Sequence, residues 1–412
     1  MSIEIDIDRL MGELEHLATF SDAPPPAVTR VVFTDTDLAA RAFVRNLCES
    51  AGLAIRSDAV GNTFARWEGS EPSLKAVATG SHIDAIPNAG KYDGTVGVLG
   101  GLEAIRALRE SGFQPRRSIE LLLFTSEEPT RFGIGCLGSR LLSGNLKPDA
   151  AERLADSEGR SLNDVRRHAG FEGGLEDVAL RPSHYAAFLE LHIEQGPILE
   201  REGILLGVVT DIAAPASMRI LVEGEGGHAG GMLMPDRHDA LAAAAEIILA
   251  TENAALQTKS IDTVATVGVC EVFPGAVNSV PNRVRLELDV RDTNEARRDD
   301  VLREIRQEAV AVAAKRGVSI ECTLRNADAP AQCSPIVVSA LQNACSKQAC
   351  TYRPMVSRAY HDSLFMSRIV PTGMLFIPCR NGVSHRPDEY ASVESIEAGT
   401  RVLADALALL TQ

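Results

Sequence analysis

Ile119-Glu120-Leu121-Leu122-Leu123-Phe124-Thr125-Ser126-Glu127-Glu128-Pro129 sets a nearly continuous apolar run directly ahead of two adjacent glutamates. Such a run reads as a strand buried on both faces, the kind found inside a parallel sheet. Carboxylates at the mouth of a buried strand are costly unless something binds them. Neighbouring residues of an extended segment point to opposite sides. One glutamate can therefore ligate a metal while the other faces a substrate as a general base. In isolation the pair also reads as a solvated loop.

Outward from this run, residues 74–79 form a short strand leading into Gly80-Ser81-His82-Ile83-Asp84. A small-residue helix over 96–109 and a strand over 188–193 complete an α/β pattern, with helices on both sides of a mixed or parallel sheet. Near residue 213 the texture changes. Residues 218–222 and 284–290 alternate apolar and polar, as half-exposed antiparallel strands do. Between them lies an alanine-rich helix over 239–253. A second helix, Glu295–Arg316, places Val301, Leu302, Ile305, Ala309 and Val312 on one face; Asp292 or Thr293 can cap its start and Gly317 its end. The pattern predicts a discontinuous α/β mixed-sheet domain, 1–212 and 327–412, interrupted by a smaller α+β domain, 213–326.

The length of 412 residues suits two domains. A formal net charge of −15 argues against nucleic-acid binding. The N-terminal stretch MSIEIDIDRLMGELEHLATF lacks a basic-then-apolar leader, and no run of about 18 apolar residues suggests a membrane span. Eight scattered cysteines without a CxxC pair read as reduced, packed thiols, which predicts a cytoplasmic protein.

Of nine histidines, His16, His168, His184 and His238 read as surface residues. The others sit in unusual places. In His82-x-Asp84 both side chains share one side of an extended segment. The aspartate can then hold one imidazole nitrogen while the other binds a metal. Asp93 follows in a Tyr-Asp-Gly turn, where it also reads as a helix cap. His192 in LHIEQG and His385 in SHRPDE complete the strand-end set. Imidazoles and hard carboxylates without cysteine suit Zn²⁺, Mn²⁺, Co²⁺ or Ni²⁺. Five such ligands with one bridging Asp suit two ions.

In combination, GSHIDAIPNAGKYDG (80–94), TSEEPTRFGIGCLGSR (125–140), LHIEQGP (191–197) and SHRPDEY (384–390) resemble the M20-type metallopeptidase and amidohydrolase superfamily. The LHIEQG form points to its hydantoinase/carbamoylase branch. That branch includes N-carbamoyl-L-amino acid hydrolases, β-ureidopropionases, allantoate amidohydrolases and ureidoglycolate amidohydrolases. The resemblance implies a di-metal catalytic domain carrying an inserted dimerisation or lid domain. It implies His82 and His385 as terminal ligands, Asp93 as the bridging carboxylate, and Glu128 and His192 as further ligands. Glu127 is then the general base and Asp84 the support for His82.

The resemblance extends to the inserted domain. His228, in Gly-Gly-His-Ala-Gly, matches the family histidine that stabilises the tetrahedral oxyanion. Asn278 and Arg291 match the substrate-binding Asn and Arg, the latter clamping a carboxylate. Gln195 is a further contact. Gly231-Met232-Leu233 and the run Ser357–Met366, which holds Arg358, Tyr360 and His361, look most like the ureidoglycolate amidohydrolases. These matches imply a small anionic ureido substrate, two divalent ions with Mn²⁺ first, and a homodimer through the inserted domain. Allantoate, N-carbamoyl amino acids and β-ureidopropionate are the alternative substrates. An amide-cleaving peptidase or a non-catalytic metal-binding protein is a more distant alternative.

Overall fold

The computed structural model describes residues 3–412. The chain forms two compact units, one taking in the chain up to Thr210 with Gln332–Met355 and His361–Gln412, the other Asp211–Ala331 with Val356–Tyr360. The short Val356–Tyr360 segment thus adds Arg358 and Tyr360 to the second unit.

The first unit is built on a nine-stranded mixed sheet. Its centre is four parallel strands in the order Thr372–Ile377, Ala187–Ile193, Val77–Ser81 and Ile119–Leu123. Antiparallel strands flank them, Leu206–Ile212 on one side and Thr63–Trp67 with Ala54–Ser57 on the other. The apolar run behaves as its composition demands, since every residue of Ile119–Leu123 is buried. So is every residue of Ala187–Ile193. Strands covered on both faces have no solvent side, so their polar residues must find partners within the protein.

The helix Thr95–Glu110 lies on this sheet and buries Val98, Leu99, Leu102, Ile105 and Leu108. It starts at Gly94, whose φ of 67° is unfavourable for other residues. A Cβ there would also come within 2.5 Å of His82 Nε2, so the turn reaches the sheet only with glycine at this position. A second apolar cluster, including Phe124, Phe188, Leu137 and Leu162, lies apart from the cluster that holds this helix.

The second unit carries a four-stranded antiparallel sheet in the order Val264–Phe273, Arg283–Asp292, Ala214–Glu223 and Ser319–Ala327. In Arg283–Asp292 buried and less buried residues alternate strictly. The buried set packs with the helices Ala240–Gln257 and Glu295–Arg316. Three details differ from expectation. Asn294 caps the second helix, accepting from the Arg297 amide at 3.0 Å. Asp292 instead takes the Asn294 amide and the Arg297 guanidinium. His238 is half-buried, with Nδ1 3.1 Å from the Arg316 carbonyl oxygen, because the turn after the helix closes over it. Among the described residues no helix is long and apolar enough to cross a membrane.

Candidate metal centre

The carboxyl ends of the parallel strands converge, as open α/β sheets commonly arrange their sites. His82 follows Val77–Ser81, Glu127 and Glu128 follow Ile119–Leu123, His192 lies near the end of Ala187–Ile193, and His385 follows Thr372–Ile377. Asp93 enters from the turn before the helix Thr95–Glu110. All five predicted ligands come together. His82, Asp93 and His192 form one group of potential ligand atoms within 4.8 Å of one another, and Asp93, Glu128 and His385 form another.

Asp93 belongs to both groups, and its two oxygens divide between them. Oδ1 lies 3.2 Å from His192 Nε2 and 3.7 Å from His82 Nε2. Oδ2 lies 3.3 Å from His385 Nε2, which is itself 3.2 Å from Glu128 Oε1. Each strand-borne imidazole has its Nδ1 engaged by a main-chain carbonyl. His82 Nδ1 is 3.0 Å from the Asp84 oxygen, and His192 Nδ1 is 2.9 Å from the Ile193 oxygen. A proton on Nδ1 leaves Nε2 with its lone pair. The Gly94 amide, 3.2 Å from His192 Nε2, points at that lone pair.

Asp84 supports His82 differently from the expected carboxylate contact. Its nearer carboxylate oxygen is 3.7 Å from Nδ1, and the main-chain oxygen takes the hydrogen bond. The carboxylate accepts from the amides of Glu127 and Glu128 instead. Gln195 reaches the same cluster. It occupies a left-handed conformation, and its Nε2 donates to Asp93 Oδ2 at 2.7 Å.

The electrostatics suit a cation. Asp84, Asp93, Glu127 and Glu128 are all buried. Burial pushes Glu127 well above the usual carboxylate range, and Glu128, Asp362 and Asp93 add to the shift. Burial also raises Asp84 to about 6. Hydrogen bonds to Asp93 and Glu128 raise His385 to about 11. At His82 burial opposes the charge, yet Glu127, Asp93 and Asp84 outweigh it and raise the pKa. Clustered buried carboxylates favour any positive partner, whether proton or metal. Two three-residue sets of oxygen and imidazole donors, with no thiol in either, fit divalent transition metals.

Glu127 stands beside these ligands, its Oε2 3.8 Å from His82 Nε2. Its Oε1 is 3.4 Å from the Cys136 thiol. His361 is buried against His192, with ring centroids 4.4 Å apart. Beneath them Glu190 accepts from the hydroxyls of Ser81 and Ser363, while Asp362 accepts from Ser139. Burial, then Glu190, raises Asp362 to about 8. The sequence alone assigns no role to Glu190, Cys136, Asp362 or Glu389. Three of them lie within quoted stretches, Glu389 in SHRPDEY, Cys136 in 125–140 and Asp362 in 357–366, whereas Glu190 stands just ahead of LHIEQGP.

The remaining predicted residues lie in the second unit. His228 is exposed in a short strand paired with Ser279–Val280, and its Nδ1 accepts from the Gly230 amide at 3.1 Å. The Asn278 main-chain oxygen accepts from the Ala229 amide, which links the two motifs. Arg291 donates to Asp289 at 2.7 Å, and its guanidinium lies 5.5 Å from the Tyr360 ring centre. Arg358 donates to Asp262 at 2.6 Å.

Residues 78–409 match the pattern of Peptidase family M20/M25/M40. The chain belongs to this family. The M20 chain is 53% identical to Ureidoglycolate hydrolase of Arabidopsis thaliana over 417 residues, covering 100% of this chain and 88% of that protein. It is also 53% identical to Ureidoglycolate hydrolase of Oryza sativa subsp. japonica, covering 99% of this chain and 85% of that protein. The crystal structure of AtUAH in complex with glyoxylate superposes with a TM-score of 0.92 at 52% identity, covering 100% of the M20 chain and 99% of the other. The AtUAH complex with (S)-hydroxyglycine matches equally well. M20 amidohydrolases are metal-dependent, and among the described residues this M20 chain offers ligands in the two Asp93 groups and in a third made of Glu190, His192 and His361.

Proposed function

We propose that this chain hydrolyses ureidoglycolate, releasing ammonia, carbon dioxide and glyoxylate. The observation that carries the reaction class is Asp93 shared between two ligand groups with Glu127 alongside. The substrate rests on the 53% identity to the two plant ureidoglycolate hydrolases over 99–100% of this chain.

His82, Asp93 and His192 would hold one divalent ion, and Asp93, Glu128 and His385 a second, with Mn²⁺ the first choice and Zn²⁺, Co²⁺ or Ni²⁺ the alternatives. When bound, such ions supply Lewis acidity to a carbonyl oxygen and lower the pKa of water. Glu127 takes the proton of the attacking water and returns it to the leaving nitrogen. A buried carboxylate beside the ligand groups is placed to take that proton and to return it. Water adds to the ureido carbonyl and the terminal C–N bond breaks, giving ammonia and a carbamate. The carbamate loses carbon dioxide, and the resulting hydroxyglycine loses a second ammonia to give glyoxylate. His228 would stabilise the oxyanion. Arg291 and Asn278 would hold the carboxylate, Gln195 would make a further substrate contact, and Arg358, Tyr360 and His361 would shape the pocket.

We further propose a homodimer formed through the inserted unit. Val264–Phe273 is an edge strand with Val264, Val269 and Phe273 exposed, and the helix Ala240–Gln257 exposes Leu249 and Leu256. An unpaired edge beside exposed apolar side chains is a surface that a second copy can cover. The cysteines are all free, which supports a cytoplasmic setting.

Ammonia release by Mn²⁺-loaded protein tests the substrate, with ureidoglycolate, allantoate and N-carbamoyl amino acids offered separately. Preference for ureidoglycolate is expected. Preference for another ureido acid would overturn the substrate, and silence on all of them with metal bound would overturn the reaction class.

A further inference from the structure

Glu389 is 4% exposed; one of its carboxylate oxygens meets the turn that carries Asp93 directly, and the other is linked to the Asp93 carboxylate through Ser384. Oε1 accepts the main-chain amides of Tyr92, at 2.9 Å, and Asp93, at 3.1 Å. Oε2 lies 2.9 Å from Ser384 Oγ, and the same hydroxyl is 2.8 Å from Asp93 Oδ2. The approach is close enough to exclude a side chain opposite. A Cβ on Gly90 would fall 2.3 Å from Glu389 Cβ and 2.4 Å from Oε1.

The segment holding Glu389 also holds His385, whose φ of 58° is a left-handed conformation that costs about 1 kcal/mol or more for a non-glycine residue. Surrounding contacts must hold it there. Arg380 and Tyr390 close the base of the segment through a 2.8 Å main-chain hydrogen bond, and Glu389 ties its end to Tyr92 and Asp93.

We propose that Glu389 is a positioning residue that sets the Asp93 carboxylate between its two ligand groups and keeps His385 within reach of Oδ2. This inference rests on the reading that those groups hold metal ions. The effect is one-sided. Oδ1 faces His82 and His192, which come from the sheet, and its side of the turn is also held by the Gly94 amide. Oδ2 depends on Ser384, Gln195 and His385, and two of those three sit on the segment that Glu389 anchors. Losing Glu389 therefore weakens the ion held by Asp93, Glu128 and His385 and spares its neighbour.

Glutamine can do the same work. Its amide oxygen accepts from Tyr92 and Asp93, and its NH₂ donates to Ser384 Oγ, which frees the hydroxyl proton for Asp93. Alanine strands two buried amides and releases the segment.

The test is calorimetric titration of metal-free protein with Mn²⁺, alongside thermal unfolding of each variant. Wild type is expected to take up two ions. Glu389→Ala should bind one normally and the other about tenfold to a hundredfold more weakly, the usual consequence of removing a group that orients a ligand. Glu389→Gln should restore both. Ser384→Ala, which deletes only the hydroxyl, should weaken the same ion by less, and it decides the matter should Glu389→Ala not fold. Unchanged uptake of both ions by Glu389→Ala, or by Ser384→Ala where that variant decides, would overturn the positioning role. So would equal losses in the Ala and Gln variants. A wild type that takes up fewer than two ions would overturn the metal reading itself, and this inference with it.

Discussion

Asp84 Oδ2 accepts the main-chain amide of Glu128 at 3.0 Å, while its Oδ1 takes the Glu127 amide at 3.2 Å. One buried carboxylate thereby orients the backbone of both adjacent glutamates, while its main-chain oxygen holds His82. Asn at position 84 presents one acceptor and one donor, so one of the two amides loses its partner. Asp84→Asn should therefore cost about 1–3 kcal/mol of stability, since an amide is left buried and unsatisfied. It should also lower kcat. Denaturant unfolding and steady-state kinetics measure both, and a variant with wild-type values in each would remove Asp84 from this role.

Glu127→Gln keeps the shape of the site and removes the proton acceptor. Turnover should fall by about 10²–10⁴, the usual range for a general base. Mn²⁺ uptake should stay within experimental error, because Glu127 belongs to neither ligand group. A variant that keeps the wild-type rate sinks the base assignment.

Metal binding should release protons. His385 is raised to about 11 by Asp93 and Glu128, so the free imidazole is charged at neutral pH and must lose its proton to bind a metal. Because the raised pKa favours the protonated form, affinity should climb as pH rises from 6 towards 9. The slope should approach tenfold per pH unit for each proton released. Calorimetry in buffers of different ionisation enthalpy reads the number directly, and a binding enthalpy independent of buffer would contradict it.

Arg291→Lys keeps the charge and loses the two-pronged grip on a carboxylate. KM for ureidoglycolate should rise about tenfold or more, with a smaller fall in kcat. An unchanged KM would remove Arg291 from the substrate site.

Burial pushes the Cys48, Cys345 and Cys379 thiols up to about 12, whereas Cys270 is exposed. At pH 8 iodoacetamide should leave those three intact until the protein unfolds, while Cys270 should label only where its edge strand is not covered by a second copy. Mass mapping of the native protein checks this, and early labelling of Cys48 would contradict the packing around it.

The residues most legible in the sequence were those whose chemistry conflicts with their setting. Glu127 and Glu128 end a strand with no exposed face, and His82 and His192 also sit at apolar strand ends. Such conflicts show in one dimension because a buried charge needs a partner wherever the chain goes. Glu190 was hidden for the opposite reason. It interrupts Ala187–Ile193 singly, and its partners Ser81 and Ser363 come from residues 109 and 173 positions away. Helix capping by Asn294 in place of Asp292 or Thr293 shows a shorter-range limit. Adjacent Asp, Thr and Asn can all cap, and only the tertiary partners of Asp292 remove it from competition.

By itself the sequence determined the two textures of the chain, the strand-end placement of most of the candidate ligands and the residue types that could hold a metal. Periodicity and buried charge are local properties, and they survive reading in one dimension. Tertiary structure alone decided how the Asp93 oxygens divide between the two groups. It also decided that Asp84 serves two amides and that Gln195 turns onto Asp93. Those outcomes depend on hydrogen-bond geometry over a few tenths of an ångström, between groups that only the folded sheet brings within reach.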